Sequence, residues 1–138
     1  MPPPFVYQTR IRFIDTDASG RIHYTAMFRY FESAEIEFLR TLGIGYDPKR
    51  PINFPRVHVE CDFNAAMEHD DLIDIEVRVT HVGKSSVRFE FRTLKAGQLA
   101  ARGMIVAVCM DRDTQRSTSI PEEIRQRLAS AASPDGAQ

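Results

Sequence analysis

The amino-acid sequence predicts an α+β fold in which a five-stranded antiparallel sheet wraps around one long central helix. Several short segments alternate apolar and polar residues, and one longer segment repeats its apolar residues every three or four positions. Alternation is typical of strands with one covered face, whereas the spacing of three and four is typical of a helix. Because the helix follows the first strand, the sheet covers its own apolar face by wrapping around that helix.

The first two predicted elements are a strand and the helix, joined by a polar loop. The strand is predicted over residues 5–13, and the Asp, Ser and Gly residues of 15–20 are typical of a loop. The helix is expected to begin after Thr25, a suitable N-cap, and to end near Gly43. Its apolar stripe is formed by Met27, Tyr30, Phe31, Ala34, Phe38 and Leu42.

The remaining strands follow one another along the chain. Strict alternation predicts strands at 57–64, 73–80 and 87–92. Residues 104–110 are apolar at every position, which predicts a strand that is central or covered on both faces. The turn at 83–85 has the spacing of a hairpin. Four strands after the helix and one before it complete the predicted sheet.

Length and composition indicate one globular domain over residues 1–138. Hydrophobic residues make up 43% of the 138 residues and charged residues 27%. A short helix is expected after Pro121, and the small, polar tail from about 130 to 138 is expected to fray. With 18 Lys and Arg against 19 Asp and Glu, no basic field exists to hold nucleic acid. No apolar run reaches the roughly 18 to 20 residues needed to span a membrane.

The two cysteines, Cys61 and Cys109, lie far apart among apolar residues and away from clustered histidines. Neither a metal site nor a disulfide framework is expected from such a pattern, and a reducing compartment follows. Residues 1–4 lack the basic start and apolar stretch of a signal peptide. We therefore expect a cytoplasmic protein without a metal or cofactor.

The predicted sheet is wide relative to its single helix. Some apolar surface and at least one sheet edge therefore stay exposed in a monomer. Pairing with a second copy covers both, because a symmetric dimer presents the same patch twice. We expect a homodimer, and a dimer of dimers as the larger assembly.

Two carboxylates, Asp15 and Asp17, lie in the loop just before the helix. A helix start presents unpaired N–H groups and a partial positive charge, which can hold an oxyanion formed from a carbonyl. A nearby carboxylate can attack that carbonyl or deprotonate a water that does. The local pattern equally fits a turn former or N-cap. A cation-binding pair is a further alternative, although no third oxygen ligand is evident nearby.

The segment 13–32 reads FIDTDASGRIHYTAMFRYFE. It combines a strand end, a D-x-D-x-x-G loop at 15–20, the run Ile22-His23-Tyr24, and the helical motif R-Y-F-E at 29–32. Together these motifs resemble the N-terminal signature of the 4-hydroxybenzoyl-CoA thioesterase family of hotdog-fold acyl-CoA thioesterases, including its Tol–Pal-associated members. The order of elements from residue 5 to about 112 fits the same family, so motif and element order agree.

The resemblance implies roles for four residues of this segment. Asp17 matches the family's catalytic carboxylate. Tyr24 matches the residue whose backbone N–H, at the helix start, polarises the thioester carbonyl. Asp15 and Gly20 are expected to shape the loop. The active site of the family lies at the dimer interface, and its substrate is an acyl-CoA.

The resemblance also implies where the substrate is bound. In the family the CoA arm runs toward basic residues near the third-to-fourth strand turn, where this chain has Lys84 and Ser85. Fewer basic residues stand at that turn than in the family, so Arg88 and Arg56 are alternatives, and Lys84 also fits a solvated hairpin lysine. The acyl group is expected in a mainly apolar slot beside Met27, Tyr30 and Phe31, or beside their neighbours in the partner chain.

These features predict an acyl-CoA thioesterase in which Asp17 is the nucleophile or the general base. One alternative is a hotdog protein that binds acyl groups or acyl-carrier partners with little hydrolysis. Ala26 and Met27 keep this alternative open, because many family members carry Asn and then Tyr there. A dehydratase or hydratase is disfavoured, because the long helix supplies no histidine. Aromatic and short or medium aliphatic acyl groups remain equally compatible with the sequence.

Overall fold

Seven strands and two α-helices are described over residues 3–132 in a computed structural model of the chain. In chain order they are β1 (Phe5–Arg10), α1 (Ala26–Thr41), β2 (Ile52–Asn53), β3 (Arg56–Phe63), β4 (Leu72–Val82), β5 (Ser86–Lys95), β6 (Gln98–Val108), β7 (Met110–Asp111) and α2 (Glu122–Ala131). A 3₁₀ turn at Phe13–Asp15 follows β1. Neither of the two helices in this range is long and apolar enough to cross a membrane.

The main sheet has five antiparallel strands in the order β1-β4-β5-β6-β3, which confirms the predicted α+β class and strand count. Arg10 pairs with Leu72, so the end of β1 lies beside the start of β4. The β4–β5 turn follows Val82, at the other end of the sheet. Since a strand rises about 3.3 Å per residue, these two ends of the sheet are about 30 Å apart.

Several strand limits differ from the prediction, most clearly the end of β1 and the bounds of β6, which is Gln98–Val108 where 104–110 is predicted. β1 ends at Arg10, because Ile11 leaves the ladder and donates its N–H to the carbonyl of Asp71 (3.0 Å). β6 is central, between β5 and β3, as predicted. Its residues nevertheless alternate between buried and half-buried, as Ile105 and Met104 do, so only one of its faces is fully covered. The sequence is apolar at every position of 104–110 because the side chains on the outer face of the sheet are apolar as well.

Helix α1 packs its buried face on the sheet through an aromatic pair. Phe31 is fully buried and stacks on Phe91 of β5, with ring centroids 4.6 Å apart. Gly103 of β6 makes room for this ring, since a Cβ at that position would overlap it. A small residue in the middle of a central strand is therefore required by the helix that lies across it.

A second helix, α2, is present besides the one long helix that the sequence predicts as central. It begins directly after Pro121, where a short helix is expected, and buries Ile124 and Leu128. The helix extends into the tail predicted to fray, and the following Ala132 forms a bridge with Val79. Packing of these last alanines against the core explains their order. The rest of the predicted tail, 133–138, lies outside the described residues.

Candidate active site

The loop between β1 and α1 folds back on itself as a small hairpin. The N–H of Asp17 donates to the carbonyl of Arg21 (2.7 Å), and the N–H of His23 donates to the carbonyl of Asp15 (2.8 Å). Gly20 closes the turn with a φ of 85°, a conformation that glycine adopts at little cost. This pairing fixes the order of side chains along the loop: Asp17 lies at the tip and His23 at the base.

Asp15 is buried and connects the base of the loop to α1 through hydrogen bonds. Its Oδ2 accepts a hydrogen bond from the hydroxyl of Tyr30 (2.7 Å), and its Oδ1 accepts one from Arg29. The same Tyr30 hydroxyl accepts the N–H of Arg12 (2.9 Å). Burial alone raises the pKa of Asp15, but the bonds from Arg29 and Tyr30 and the positive charge of Arg29 together lower it. Asp15 is thus an ionised anchor of the loop.

Asp17 is exposed at the tip of the loop. Its Oδ1 accepts two hydrogen bonds from Ser19, one from the hydroxyl (2.6 Å) and one from the backbone N–H (2.8 Å). These bonds lower the pKa of Asp17, so its carboxylate is ionised at neutral pH. Asp17 is therefore a turn former, as the local pattern allows. Both bonds engage Oδ1, which leaves Oδ2 to face other groups.

Tyr24 stands just before the first turn of α1. Within residues 3–132, no acceptor is bonded to its backbone N–H. Thr25 is the N-cap residue, but its side chain caps no backbone group; instead, the N–H of Thr25 donates to Nδ1 of His23 (3.2 Å). The side chain of Tyr24 is exposed and stacks on His23, with ring centroids 4.7 Å apart. His23 is thus a capping residue, a role the sequence pattern did not indicate.

The three residues predicted to line the acyl slot are core residues in the protomer. Met27 and Phe31 are 0% exposed, and Tyr30 is 6% exposed with its hydroxyl engaged by Asp15. None of them offers a surface that a substrate reaches in a single protomer. The physical reason is that one apolar stripe on a helix produces the same sequence period whether it faces a core or a pocket.

The predicted CoA-binding turn lies far from the Asp17 loop. Lys84 and Ser85 follow Val82, at the end of β4 that is about 30 Å from Leu72. The carbonyls of Lys84 and Ser85 accept N–H groups of the C-terminal segment, from Ile120 (2.9 Å) and Cys109 (2.7 Å). The structure therefore does not bring Lys84 or Ser85 to Asp17 within one protomer.

The two arginines considered as alternatives for binding CoA form hydrogen bonds with other residues of the protein. Arg88 donates to the hydroxyl of Thr80 (2.8 Å), and Arg56 pairs with the buried Glu35 (2.5 Å). Both residues lie on strands near the Lys84 end of the sheet, at the start of β5 and of β3. Neither arginine is positioned beside the Asp17 loop of its own protomer.

A basic residue of β5, Lys95, contacts the segment that precedes β4 and is bonded to the loop. Ile22 donates its N–H to the carbonyl of Met67 (2.7 Å), which joins the loop to this segment. Lys95 contacts the same segment through Asp71 (2.8 Å). The hydrogen bond from Lys95 lowers the pKa of Asp71. Lys95 therefore contacts the segment to which the loop is bonded, and nothing in its sequence context distinguishes it.

The cation-binding alternative finds no support in the part of the chain that the structure describes. There, no group of three or more His, Cys, Asp or Glu side chains is arranged to hold a metal ion. Asp15 and Asp17 also use their oxygens differently, since one binds Arg29 and Tyr30 and the other binds Ser19.

Comparisons with known proteins extend over nearly the whole chain. The model of the thioesterase-like superfamily matches residues 11–128. The acyl-CoA thioesterase YbgC of Haemophilus influenzae is 25% identical over 124 residues, 88% of this chain and 91% of that protein. The 1,4-dihydroxy-2-naphthoyl-CoA hydrolase of Synechococcus elongatus is 25% identical over 128 residues, 90% of this chain and 94% of that protein.

A solved structure shares the same architecture. A protein of Thermus thermophilus is 26% identical and superposes with a TM-score of 0.86, covering 91% of this chain and 98% of that chain. The range that the family model matches thus includes the Asp17 loop, α1 and the strands from β2 to β7.

Proposed function

This chain belongs to the thioesterase-like superfamily, and from that membership we propose that it hydrolyses an acyl-CoA to a free acid and CoA. One observation carries the proposal. The N–H of Tyr24, at the start of α1, has no acceptor among the described residues, and the same hairpin loop holds the ionised carboxylate of Asp17. A donor for the carbonyl oxygen and a base for the attack on its carbon thus belong to one hydrogen-bonded loop.

In the proposed mechanism, the thioester oxygen accepts a hydrogen bond from the N–H of Tyr24. The partial positive charge of the helix start stabilises the negative charge that develops on this oxygen. Asp17 accepts a proton from water as the water oxygen bonds to the carbonyl carbon. The carbon–sulfur bond then breaks, and the sulfur leaves as the thiol after taking up a proton.

The second route in the prediction has Asp17 attack the carbonyl itself and form a mixed anhydride. We favour the water route, because Asp17 is exposed and both hydrogen bonds from Ser19 engage Oδ1, which leaves Oδ2 to accept a proton from a water. An acyl adduct on Asp17, found by mass spectrometry after rapid quenching, would establish the anhydride route instead.

We further propose that the active form is a homodimer paired through β3. This edge strand is exposed along nearly its whole length, and its large apolar side chains Val57, Val59 and Phe63 are 58%, 45% and 46% exposed. An exposed apolar edge strand is a ready surface for pairing with a second copy. Pairing of two such dimers gives the predicted dimer of dimers.

The proposed dimer also accounts for the large distance, within one protomer, between the Asp17 loop and the predicted CoA-binding turn. Because Lys84 and Ser85 lie about 30 Å along β4 from the loop, we propose that they contact a CoA bound at the loop of the other protomer. We propose that the acyl group lies against exposed apolar side chains of the loop region, Phe13, Ile14 and Tyr24, which are 75%, 76% and 68% exposed. This surface replaces the slot predicted at Met27, Tyr30 and Phe31.

The proposal includes the organisation of the chain. Residues 1–138 form one domain in which the sheet wraps α1 in the hotdog arrangement. No metal or cofactor takes part in the proposed reaction. Both cysteines, Cys61 and Cys109, are free thiols, which supports the proposed cytoplasmic location.

A second candidate function is the binding of acyl groups or acyl carriers without hydrolysis. The observation that favours it is that Asp17 already accepts two hydrogen bonds from Ser19. A panel of aromatic and aliphatic acyl-CoAs, assayed for released thiol, separates the two functions. Binding of acyl-CoA without thiol release would support the second.

The Asp17→Asn variant tests the catalytic assignment. It keeps the shape of the side chain and removes the base, so kcat is expected to fall by about 100-fold or more. Asp111→Asn is the matched control, because Asp111 also accepts backbone N–H groups in an Asx turn, from Asp113 and Thr114. Near-normal turnover by Asp17→Asn, with the control unchanged, would refute the role of Asp17.

A further inference from the structure

The turn between β4 and β5, residues 83–85, is bonded to the C-terminal part of the chain through its carbonyl groups. The carbonyl of Lys84 accepts the N–H of Ile120 (2.9 Å), and the carbonyl of Ser85 accepts the N–H of Cys109 (2.7 Å). By contrast, the N–H groups of Lys84 and Ser85 have no acceptor among residues 3–132. A turn whose carbonyls are bonded and whose N–H groups are free is suited to bind an anion.

The side chains of the same two residues are free donors as well. Within the range that the structure describes, neither Nζ of Lys84 nor Oγ of Ser85 has a hydrogen-bond or ion-pair partner. Lys84 is exposed, and Oγ of the half-buried Ser85 is not buried. Both groups are therefore accessible to a ligand that meets the turn from solvent.

Arg125 of α2 contacts this turn from the other side. Its Nε donates to the carbonyl of Gly83 (3.3 Å). Its two terminal nitrogens, Nη1 and Nη2, have no acceptor among the described residues, and neither is buried. One edge of the guanidinium thus binds the turn, and the other is left to bind a ligand.

The acidic residues nearest to Arg125 in α2 are bonded to other side chains. Glu123 pairs with Arg127 (3.0 Å), and Glu122 accepts a hydrogen bond from Gln126 (3.3 Å). In the described part of the chain, neither Arg125 nor Lys84 forms an ion pair with a carboxylate. The two cations beside the turn therefore have no bonded negative partner.

Two further polar side chains lie over Gly83. A Cβ at this position would lie 2.9 Å from Oγ of Ser86 and 3.2 Å from Nε2 of His81. A hydroxyl and an imidazole nitrogen can each donate a hydrogen bond. Donor groups from β4, the turn, β5 and α2 are thus collected at one place.

Packing of α2 fixes the position of Arg125 relative to the turn. Ile124 and Leu128, on the same helix, are buried in the core, and Ala132 forms a bridge with Val79 of β4. Because the helix is docked before any ligand arrives, little conformational freedom of the backbone is lost on binding.

We propose that Arg125 is a phosphate-binding residue of the acyl-CoA site, acting together with the turn at 83–85. Its free Nη groups, the ammonium of Lys84 and the N–H of Ser85 donate to phosphate oxygens of CoA. A guanidinium suits this role because its N–H groups match the geometry of a phosphate. The inference rests on the proposed function, and it adds to that site a residue 42 positions from Gly83.

CoA and pantetheine test the proposal, because pantetheine is the part of CoA that carries no phosphate. We expect Arg125→Gln to weaken the binding of CoA at least about tenfold, since hydrogen bonds to charged groups are the strong ones. Binding of pantetheine is expected to stay unchanged. NMR titrations give both dissociation constants without the hydrolytic step.

Arg102→Gln is the matched control. Arg102 is an exposed arginine that pairs on the sheet with Arg92, six residues along β5 from Ser86. This separation is about 20 Å, so the control is expected to bind CoA like the wild type.

Dephospho-CoA, which lacks only the 3′-phosphate, identifies the phosphate concerned. If Arg125 binds the 3′-phosphate, Arg125→Gln weakens the binding of CoA alone. If Arg125 binds the diphosphate, the variant weakens the binding of CoA and of dephospho-CoA equally. Either result supports the proposal.

The guanidinium signals of the wild-type protein report the contact directly. We expect the Hη signals of Arg125 to shift on addition of CoA and to stay in place on addition of pantetheine. A change in the turn that merely follows from loss of the Gly83 contact cannot produce this result, because the wild type keeps that contact.

Unchanged affinity of Arg125→Gln for CoA overturns the proposal, as does equal binding of CoA and pantetheine by the wild type. If the variant fails to fold, the wild-type signals decide, and Hη signals that do not respond to CoA overturn it. Failure of the proposed function is seen separately, as binding of CoA through Arg125 by a wild type that releases no thiol from acyl-CoA.

Discussion

The hydroxyl of Tyr30 donates a hydrogen bond to Asp15 (2.7 Å) and accepts one from the N–H of Arg12 (2.9 Å). Two residues on the N-terminal side of the candidate loop, Arg12 and Asp15, thus converge on one side chain of α1. The loop that carries Asp17 is positioned by a buried polar contact with the helix whose start provides the Tyr24 N–H. Its geometry is therefore coupled to the packing of α1.

Replacing Tyr30 by Phe removes this contact and leaves the ring in the core. We expect the free energy of unfolding to fall by about 1–3 kcal/mol, because Asp15 and the N–H of Arg12 each lose a buried partner. Urea denaturation measures the change. Tyr7→Phe is the control, since no side-chain hydrogen bond of Tyr7 was found among residues 3–132. Equal stability of the two variants would contradict an anchoring role for Tyr30.

Replacing Ser19 by Ala is expected to change the pKa of Asp17. The hydrogen bonds from Ser19 stabilise the ionised carboxylate, so loss of the hydroxyl is expected to raise the pKa of Asp17 toward its ordinary value. Carboxyl NMR titration measures this shift directly. The exposed Ser33→Ala is the control. Thiol release at pH 7 is expected to persist in Ser19→Ala, because Asp17 remains ionised there; an unchanged or lower pKa would contradict the contact.

Ionisation of Glu35 makes the protein less stable as the pH rises. The loop aspartates have the opposite effect, because their pKa values are lowered. Burial raises the pKa of Glu35 to about 7 in the folded protein, against 4.5 for the unfolded chain. The folded state therefore holds the extra proton between these values. The free energy of unfolding is expected to fall by up to about 1.4 kcal/mol per pH unit as pH rises from 4.5 to 7.

The Glu35→Gln variant isolates this contribution. Its amide does not titrate, so the difference in unfolding free energy between wild type and variant is expected to change across this range and to level off above pH 7. The lowered pKa values of Asp15 and Asp71 affect stability only below about pH 4. A constant difference between the two proteins from pH 4.5 to 7 would show that Glu35 keeps an ordinary pKa.

Replacing Val59 by Lys tests the proposed dimer. The added charge lies in the middle of the exposed edge strand β3, where pairing with a second copy would bury it. We expect the dimer to dissociate, as measured by light scattering during gel filtration. Val6→Lys is the matched control, because Val6 is a 49% exposed valine on β1, the opposite edge strand. Dissociation by Val6→Lys alone would place the interface on β1.

The strands of the sheet were predictable because the alternation of apolar and polar residues is a local feature of the sequence. In β4 and β5, buried residues alternate with half-buried ones, as the sequence period requires. The end of β1 was not predictable, since it depends on Ile11 bonding to Asp71 sixty residues away. The small sheet of β2 and β7 was missed for a similar reason: each strand has two residues and no period.

The candidate loop was identified from its motif, whereas its supporting contacts were not. Asp15 and Asp17 look alike in the sequence, yet one is buried against Tyr30 and the other is exposed beside Ser19. Glu35 gave no signal, because its pair with Arg56 joins residues 21 positions apart and a glutamate in a helix is usually solvated. Burial and long-range pairing arise from the fold, and they cannot be predicted from residues that are adjacent in the sequence.

The separation of the Asp17 loop from the Lys84 turn along β4 has a consequence for how this protein tolerates change. Because these two places lie about 30 Å apart along β4, the destabilisation caused by a substitution at one should add to that caused by a substitution at the other. The effects of the two substitutions on kcat/KM can be non-additive only when one substrate molecule touches both places. Departure from additivity in kcat/KM, with additive stabilities, would thus be the signature of a thioester shared between two chains.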